Sequence, residues 1–195
     1  MDYKNQLRLE VIPVSQLREE MVSKVFEDIA VIYKYVLKQT DEGRISAIVT
    51  KDMLKERGIP EEKFHEWAGN TVAVFNPPVL KPLTDIMMEL TEGKYDEDDV
   101  GLYVATSSDG LFGAGAIFYP QFLDYVTYVL KENFYVIPSS VHEVIIAPVS
   151  LIGSEKDDIE MLRKMIVEVN CEEVRPEDVL SDNVFFYDGH TFRAL

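Results

Sequence analysis

The sequence predicts an α+β fold in which helices pack on a largely antiparallel sheet. Apolar segments rich in β-branched and aromatic residues occur in pairs, and turn signals join the members of a pair as in β-hairpins. Segments with apolar residues at helical spacing separate these pairs. Because strands joined by tight turns pair antiparallel, this alternation indicates α+β. We expect one domain over residues 1–195, with two lobes meeting near 92–100 as the alternative.

The first elements are predicted to form the edge and hairpin of a sheet. Residues 7–14 are apolar with interleaved charge and stop at Pro13, which predicts an edge strand or an extended arm. Residues 16–24 are polar and compatible with a helix. The β-branched and aromatic segment 28–37, a turn at 40–43 and the apolar segment 45–49 predict a hairpin.

Helical signals dominate the next part of the chain. Thr50 is a good N-cap for a short helix over 51–57. A second helix is predicted over 60–69, since proline suits a first helical turn. The proline-rich stretch 76–82 is expected to be an extended linker, and apolar spacing predicts a helix over 83–90.

The second half of the chain repeats the pattern of strands and helices. Strands are predicted at 102–105 and 111–119 around a serine- and glycine-containing turn, and a helix at 120–131. The near-continuous apolar segments 134–137 and 144–149 predict strands with both faces covered.

The last helix and the final hairpin complete the pattern. Ser154 and Asp157 suggest a capping box for the longest helix. Its buried stripe is expected to consist of Ile159, Leu162, Ile166 and Val169. The Asp188-Gly189 pair predicts a hairpin between segments 184–187 and 191–194.

Composition excludes several classes of protein. The 19 Lys and Arg against 35 Asp and Glu give a net charge of −16, so direct nucleic-acid binding and binding to an anionic membrane are not expected. No apolar run reaches the roughly 20 residues that cross a bilayer, and no secretory signal is recognisable. A lone Cys171 fits a reducing, cytoplasmic location. A protein partner is compatible with these features, but its identity stays unknown.

The densest group of reactive side chains is Ser139, Ser140, His142 and Glu143. As a hydrolase or transferase site, Ser140 would be the nucleophile and His142 the base. On a strand, however, side chains two residues apart stand roughly 7 Å from each other, whereas a nucleophile and its base need about 3 Å. A polar turn between two buried strands is the alternative. The enzyme hypothesis also needs a third group from elsewhere: Asp109, Asp188 or His190.

Metal and phosphate sites are not predicted. A metalloprotease helix needs a second histidine where Ile146 stands, and three histidines with one cysteine are too few for a structural zinc site. The acidic run 96–99 lacks the later ligands of a calcium loop. Phe118 occupies the place of the third glycine of a dinucleotide fingerprint. We therefore expect no metal and no cofactor.

Several short motifs together resemble a bacterial domain-of-unknown-function family over nearly the whole chain. The motifs are Leu111-Phe112-Gly113-Ala114, Tyr119-Pro120, the segment FYVIPSSVHEV at 134–144, Asn70-Thr71, Val169-Asn170 and Val179-Leu180-Ser181-Asp182. The family is uncharacterised, so the resemblance implies no activity. Since members often carry a further N-terminal segment, it leaves open whether one is missing before Met1.

Three hypotheses about function follow. The first is a non-catalytic binding or regulatory module, favoured because no metal set, phosphate loop or convincing triad is visible. The second is the hydrolase or transferase centred on Ser139, Ser140, His142 and Glu143. The third is an acidic protein that binds a basic partner or mimics nucleic acid, which requires its carboxylates to lie on one face.

Overall fold

Helices and antiparallel sheets make up the fold, which confirms the α+β prediction. The computed structural model describes residues 3–40, 43–93, 100–138 and 140–195. The middle of the predicted turn at 40–43, most of the acidic stretch near 92–100, and Ser139 lie outside the described residues.

The first sheet has four strands organised around one long central strand. These are β1 (Leu7–Pro13), β2 (Ser23–Phe26), β3 (Ile29–Thr40) and β4 (Gly43–Ile48). The strand β3 pairs antiparallel with β1 on one side and with β2 and then β4 on the other. The predicted hairpin is therefore confirmed as β3 and β4, and the predicted edge strand as β1.

The second sheet has six antiparallel strands in the order β10-β9-β7-β8-β6-β5. Its strands are β5 (Pro78–Pro82), β6 (Tyr103–Ser107), β7 (Phe134–Ile137), β8 (Val144–Pro148), β9 (Phe185–Tyr187) and β10 (Phe192–Ala194). All four residues of β7 are buried, as its continuous apolar sequence predicts for a strand covered on both faces.

Six α-helices connect or cover the strands of the described ranges. They are α1 (Lys51–Glu56), α2 (Glu61–Phe75), α3 (Leu83–Leu90), α4 (Phe122–Leu130), α5 (Val149–Ile152) and α6 (Lys156–Glu172). The N-cap of α1 is Thr50, whose hydroxyl accepts the Met53 N–H at 3.4 Å. The capping box of α6 begins at Glu155 and not at Ser154, since the Glu155 N–H donates to Asp158 at 3.1 Å.

The buried stripe of α6 differs from the predicted one at its C-terminal end. Leu162 and Ile166 are buried as expected, but Val169 is 45% exposed and Asn170 is buried in its place. The Asn170 amide donates to the Ser181 carbonyl at 3.1 Å and to the Asp182 carboxylate at 2.8 Å. These partners satisfy the amide NH2 group, which offsets part of the cost of taking a polar group out of water, while the buried Oδ1 atom has no hydrogen-bond partner among the described residues.

Three segment predictions are wrong. Residues 16–24 are not helical, because the chain there leaves a 3-10 turn at Val14–Gln16 and enters β2. Residues 76–82 contain the strand β5. The predicted strand 111–119 is a 3-10 helix over Gly113–Phe118. Its glycines permit a close approach, since a Cβ on Gly113 would lie 2.5 Å from the Ser107 amide nitrogen.

The main hydrophobic core draws on both sheets. Leu9 and Val31 of the first sheet belong to the same buried cluster as Phe134 and Ile146 of the second. A smaller cluster lies between α6 and the second sheet, around Leu162. The number of domains stays a prediction.

Candidate functional site

The predicted turn brings together only part of its reactive group. Ser139 lies outside the described residues. The Ser140 hydroxyl donates to the Glu143 carboxylate at 3.4 Å and accepts the backbone N–H of His142 at 3.1 Å. Ser140 therefore contacts the backbone of His142, as a serine in a polar turn does.

Both ring nitrogens of His142 face groups other than Ser140. Its Nδ1 accepts the backbone N–H of Phe112 at 3.2 Å, and its Nε2 lies 3.5 Å from a carboxylate oxygen of Asp178. Because an amide N–H can only donate, Nδ1 carries no proton in this arrangement and Nε2 carries it. The lone pair that a general base would use is thus engaged by the backbone. The hydrolase or transferase hypothesis stays a prediction, with no support from these contacts.

The candidate third groups lie in different surroundings. Asp109 forms ion pairs with Arg8 and Arg44. Asp188 accepts the backbone N–H groups of His190 at 3.0 Å and Thr191 at 2.7 Å, so it stabilises the turn of the last hairpin. Those hydrogen bonds lower the pKa of Asp188.

Two of the sequence motifs form one structural unit. The Thr106 hydroxyl donates to the His142 carbonyl at 2.8 Å, and the Ala114 N–H donates to the Val141 carbonyl at 3.2 Å. The Ala114 bond and the hydrogen bond from Phe112 to His142 hold the start of the 3-10 helix at 113–118 against the turn at 140–143, and the Thr106 bond holds β6 against the same turn. Of the motif side chains, the His142 ring takes part in these hydrogen bonds, which gives a structural reason for a histidine at this position.

A group of five charged side chains, two buried and three partly buried, is here called the ion cluster and links the first sheet to the loop that follows β6. Its members are Arg8, Glu10, Lys34, Arg44 and Asp109. Arg44 lies at the centre: its guanidinium is 3.2 Å from Glu10 and 2.9 Å from Asp109. Arg8 contacts Asp109 at 2.9 Å, and Lys34 contacts Glu10 at 2.6 Å. The Lys34 contact does not have the direction of a hydrogen bond, so it is electrostatic.

Hydrogen bonds fix the charge of Asp109. Burial alone would raise the pKa of this carboxyl, but donors from Arg8, Ser107 and the Leu111 N–H, with the charge of Arg44, outweigh burial and lower it. The Ser107 hydroxyl donates at 2.9 Å and the Leu111 N–H at 3.3 Å. The cluster contains three cations and two carboxylates, so it is locally positive in an acidic chain.

Phe112 joins the ion cluster to the His142 turn. Its backbone has a φ of 55°, in the left-handed region that is costly for a non-glycine residue. The Lys34 ammonium and the Arg44 guanidinium lie 5.4 Å and 5.5 Å from its ring, and the His142 ring lies 5.0 Å away. Cation–π contacts and the hydrogen bond to His142 offset the strain.

Sequence reasoning missed the ion cluster. Arg8 and Glu10 alternate with apolar residues, which predicts a solvent-facing side of an edge strand. The one available signal is the two-residue period, which places Arg8 and Glu10 on one face of β1. The register pairs Arg8 with Lys34, but nothing local indicates that Asp109 covers this face.

An apolar pocket of about 590 Å³ lies on the other face of the first sheet. Here called the Trp67 pocket, it is bounded by Tyr35 and Leu37 of β3, Ala47 of β4, Met53 of α1 and Trp67 of α2. Leu37 is 61% exposed and Trp67 is 40% exposed, so the pocket is open to solvent. An exposed apolar concavity of this size is typical of a ligand site.

The charged residues that line the Trp67 pocket in the described part of the chain are Arg57 and Lys63. The Arg57 guanidinium donates to the Met53 carbonyl at 3.0 Å. Burial raises the pKa of the Tyr35 hydroxyl, and the charge of Arg57 opposes that rise. The positive charge of Arg57 is thus close enough to influence the Tyr35 hydroxyl, which lines the same pocket.

No helix of the described ranges is long and apolar enough to span a membrane. Within the same ranges, no group of three or more His, Cys, Asp or Glu side chains could hold a metal ion. The exposed Cys171 is a free thiol.

Comparison with known proteins supplies a family and no activity. No curated protein and no solved structure matches the chain. The model of a family of unknown function, DUF5688, matches residues 2–189, which is nearly the whole chain. The family resemblance inferred from the sequence is thereby confirmed, and the chain belongs to the DUF5688 family.

Proposed function

We propose that this protein is a non-catalytic binding module whose Trp67 pocket holds a small amphipathic anion. The observation that carries the proposal is an open apolar pocket whose charged lining residues are both cationic. A medium-chain carboxylate represents the ligand class, with an alkyl body in the pocket and its carboxylate near Arg57 and Lys63.

The size and lining of the pocket support a small ligand. Small-molecule sites of roughly 300–1,000 Å³ are mostly apolar, with a few polar groups that orient the ligand. Here Tyr35, Arg57 and Lys63 supply the polar groups, and Leu37, Met53 and Trp67 are among the apolar ones. Burying the alkyl chain would contribute roughly 0.8 kcal/mol per methylene.

Charge supports an anion over a neutral or cationic ligand. The chain carries a net charge of −16, yet Arg57 and Lys63 give this pocket a local positive charge. A cationic amphiphile would be repelled at the rim, whereas a carboxylate would gain charge-assisted hydrogen bonds.

The test compares ligands that share one alkyl chain and differ in charge. Octanoate, 1-octanol and octylammonium are titrated into the protein while the fluorescence of Trp67, the single tryptophan, is recorded. We expect saturable binding that is tightest for octanoate. Arg57→Gln and Lys63→Gln should each weaken octanoate binding about two- to fivefold and leave octanol binding unchanged, because partly exposed ion pairs contribute modestly.

The matched control is Lys55→Gln, which removes an exposed cation of α1 outside the pocket lining. It should leave octanoate affinity unchanged. A second variant, Ala47→Leu, fills part of the pocket and should weaken all three ligands. Equal affinity for the three ligands, or the absence of a saturable Trp67 signal with octanoate, would contradict the proposal.

A further inference from the structure

A second concavity of about 670 Å³, here called the His65 cleft, lies along α2. Glu62, His65, Glu66 and Asn70 line one side of it, and their spacing of three or four residues places them on one face of the helix. Aromatic side chains of β2 and of the 3-10 helix at 113–118 line the other side. This cleft has a different lining and a different charge from the Trp67 pocket.

A hydrogen bond fixes the imidazole in the cleft. The Tyr33 hydroxyl and the Nδ1 atom of His65 are 2.8 Å apart, and Tyr33 itself is buried under α2. Burial raises the pKa of the Tyr33 hydroxyl, so it stays neutral near pH 7. The ring of His65 is thus anchored at one nitrogen to an uncharged partner.

Charged groups on α2 and on β2 change the pKa of His65. Burial lowers the pKa of His65; Glu61 raises it and Lys24 of β2 lowers it. Glu62 and Glu66 line the same cleft. The imidazole is therefore neutral near pH 7, and the charged lining residues are two carboxylates and one ammonium.

The protein's own Lys24 places an ammonium in the lining of the cleft. Its Nζ lies over the ring of Phe26, 5.2 Å from the centroid, and that ring stacks on Phe118 at 4.4 Å. Lys24 is exposed, so its flexible side chain can leave this position without breaking the core. A cleft lined by aromatic faces and two carboxylates has the chemistry that recognises an organic ammonium.

We infer that the His65 cleft is a binding site for a small organic amine, whose ammonium takes the place of the Lys24 ammonium over the ring of Phe26, in a cleft that Glu62 and Glu66 also line. The two carboxylates attract the cation, the neutral imidazole does not repel it, and the apolar body contacts Phe118. Lys24 competes with the ligand as a tethered ammonium. This site is independent of the Trp67 pocket.

The test uses n-butylammonium, 1-butanol and butyrate at matched ionic strength. The proton resonances of His65 are followed by NMR, which is practical because the chain has three histidines. We expect butylammonium to bind most tightly and to lower the pKa of His65, because a nearby cation disfavours the imidazolium. Butyrate should leave that pKa unchanged.

Substitutions of the carboxylates and of the lysine should change the affinity for butylammonium in opposite directions. Glu62→Gln and Glu66→Gln should each weaken butylammonium binding about two- to fivefold, and Lys24→Gln should tighten it by a similar factor. All three positions are exposed, so the fold is expected to be retained. The matched control is Glu56→Gln, an exposed carboxylate of α1 outside the cleft, which should change nothing.

Three results would overturn the inference: butylammonium binds no more tightly than butanol, Lys24→Gln weakens binding, or the His65 resonances do not move. The readouts separate the two sites, since octanoate reports through Trp67 and butylammonium through His65. Failure at one site therefore leaves the proposal for the other unaffected.

Discussion

The ion cluster makes a quantitative prediction about stability through Arg44→Met. Methionine keeps the apolar stem and removes the guanidinium, so the substitution isolates the charged head. Arg44 has only 3% of its side chain exposed and contacts both carboxylates of the cluster. Its loss leaves Glu10, 2% exposed, with Lys34 as its remaining ion-pair partner within the cluster.

The expected decrease in the free energy of unfolding follows from the burial of Arg44 and Glu10. Removing one partner of a buried ion pair costs about 3–5 kcal/mol, because a charge stays buried without compensation. Lys34 at 2.6 Å from Glu10 and Arg8 at 2.9 Å from Asp109 still neutralise part of that charge. We therefore expect the free energy of unfolding to fall by about 3 kcal/mol, the lower end of that range.

The matched control is Arg18→Met. Arg18 lies 3.5 Å from Glu20, and their side chains are 60% and 53% exposed. An exposed pair contributes at most about 1 kcal/mol, so this variant should be nearly neutral. Urea unfolding followed by circular dichroism and Trp67 fluorescence measures both variants. If Arg44→Met costs no more than Arg18→Met, the argument from burial is refuted.

The same cluster predicts an acid dependence. The lowered pKa of Asp109 means that its contribution to stability is fully present above its ordinary pKa of about 4 and is lost as the pH falls through its folded value. In Arg44→Met this pKa should rise toward the ordinary value. The stability difference between wild type and variant should therefore shrink in acid, and a constant difference between pH 7 and pH 2 would contradict it.

Three further predictions concern single positions. Gly113→Ala should cost about 1–3 kcal/mol, since its Cβ would lie 2.5 Å from the Ser107 nitrogen; an unchanged urea midpoint would exclude that close approach. Gly69→Ala, inside α2, should stabilise by about 0.5–1 kcal/mol, because its Cβ meets Pro120 at an ordinary 3.5 Å; a lowered midpoint would count against it. Burial lowers the pKa of His65, so its contribution to stability is present above about pH 6.5 and declines as the pH falls. His65→Gln should flatten the change of urea midpoint between pH 7 and pH 5, and a slope equal to that of the wild type would refute this.

Local sequence predicted those elements whose signals lie within the element itself. The hairpin of β3 and β4, the Thr50 cap and the apolar strand β7 are of this kind. The prediction of a strand at 111–119 was wrong because the conformation of this segment depends on contacts with residues far away in sequence. Glycine at 113 allows the backbone to approach β6, and the His142 ring accepts the Phe112 N–H.

For the candidate sites too, the local sequence indicates some features and residues distant in the chain decide the others. The turn at 139–143 is recognisable from its side chains, but the partner of the His142 ring is set by a residue 30 positions away. The Trp67 pocket and the His65 cleft are each lined by α2 together with strands of the first sheet, and different residues of α2 line each of them. Phe64 and Ala68 are buried and follow helical spacing along α2, yet such spacing does not indicate which strands they meet.

Taken by itself, the sequence determined the fold class, the acidic charge and most strand and helix positions, because propensity, periodicity and capping act over a few residues. Tertiary structure decided the ion cluster, whose Arg8 and Asp109 are 101 positions apart, and the two concavities beside α2. The physical reason is that desolvation and ion pairing depend on what covers a side chain, and residues distant in the chain supply that cover.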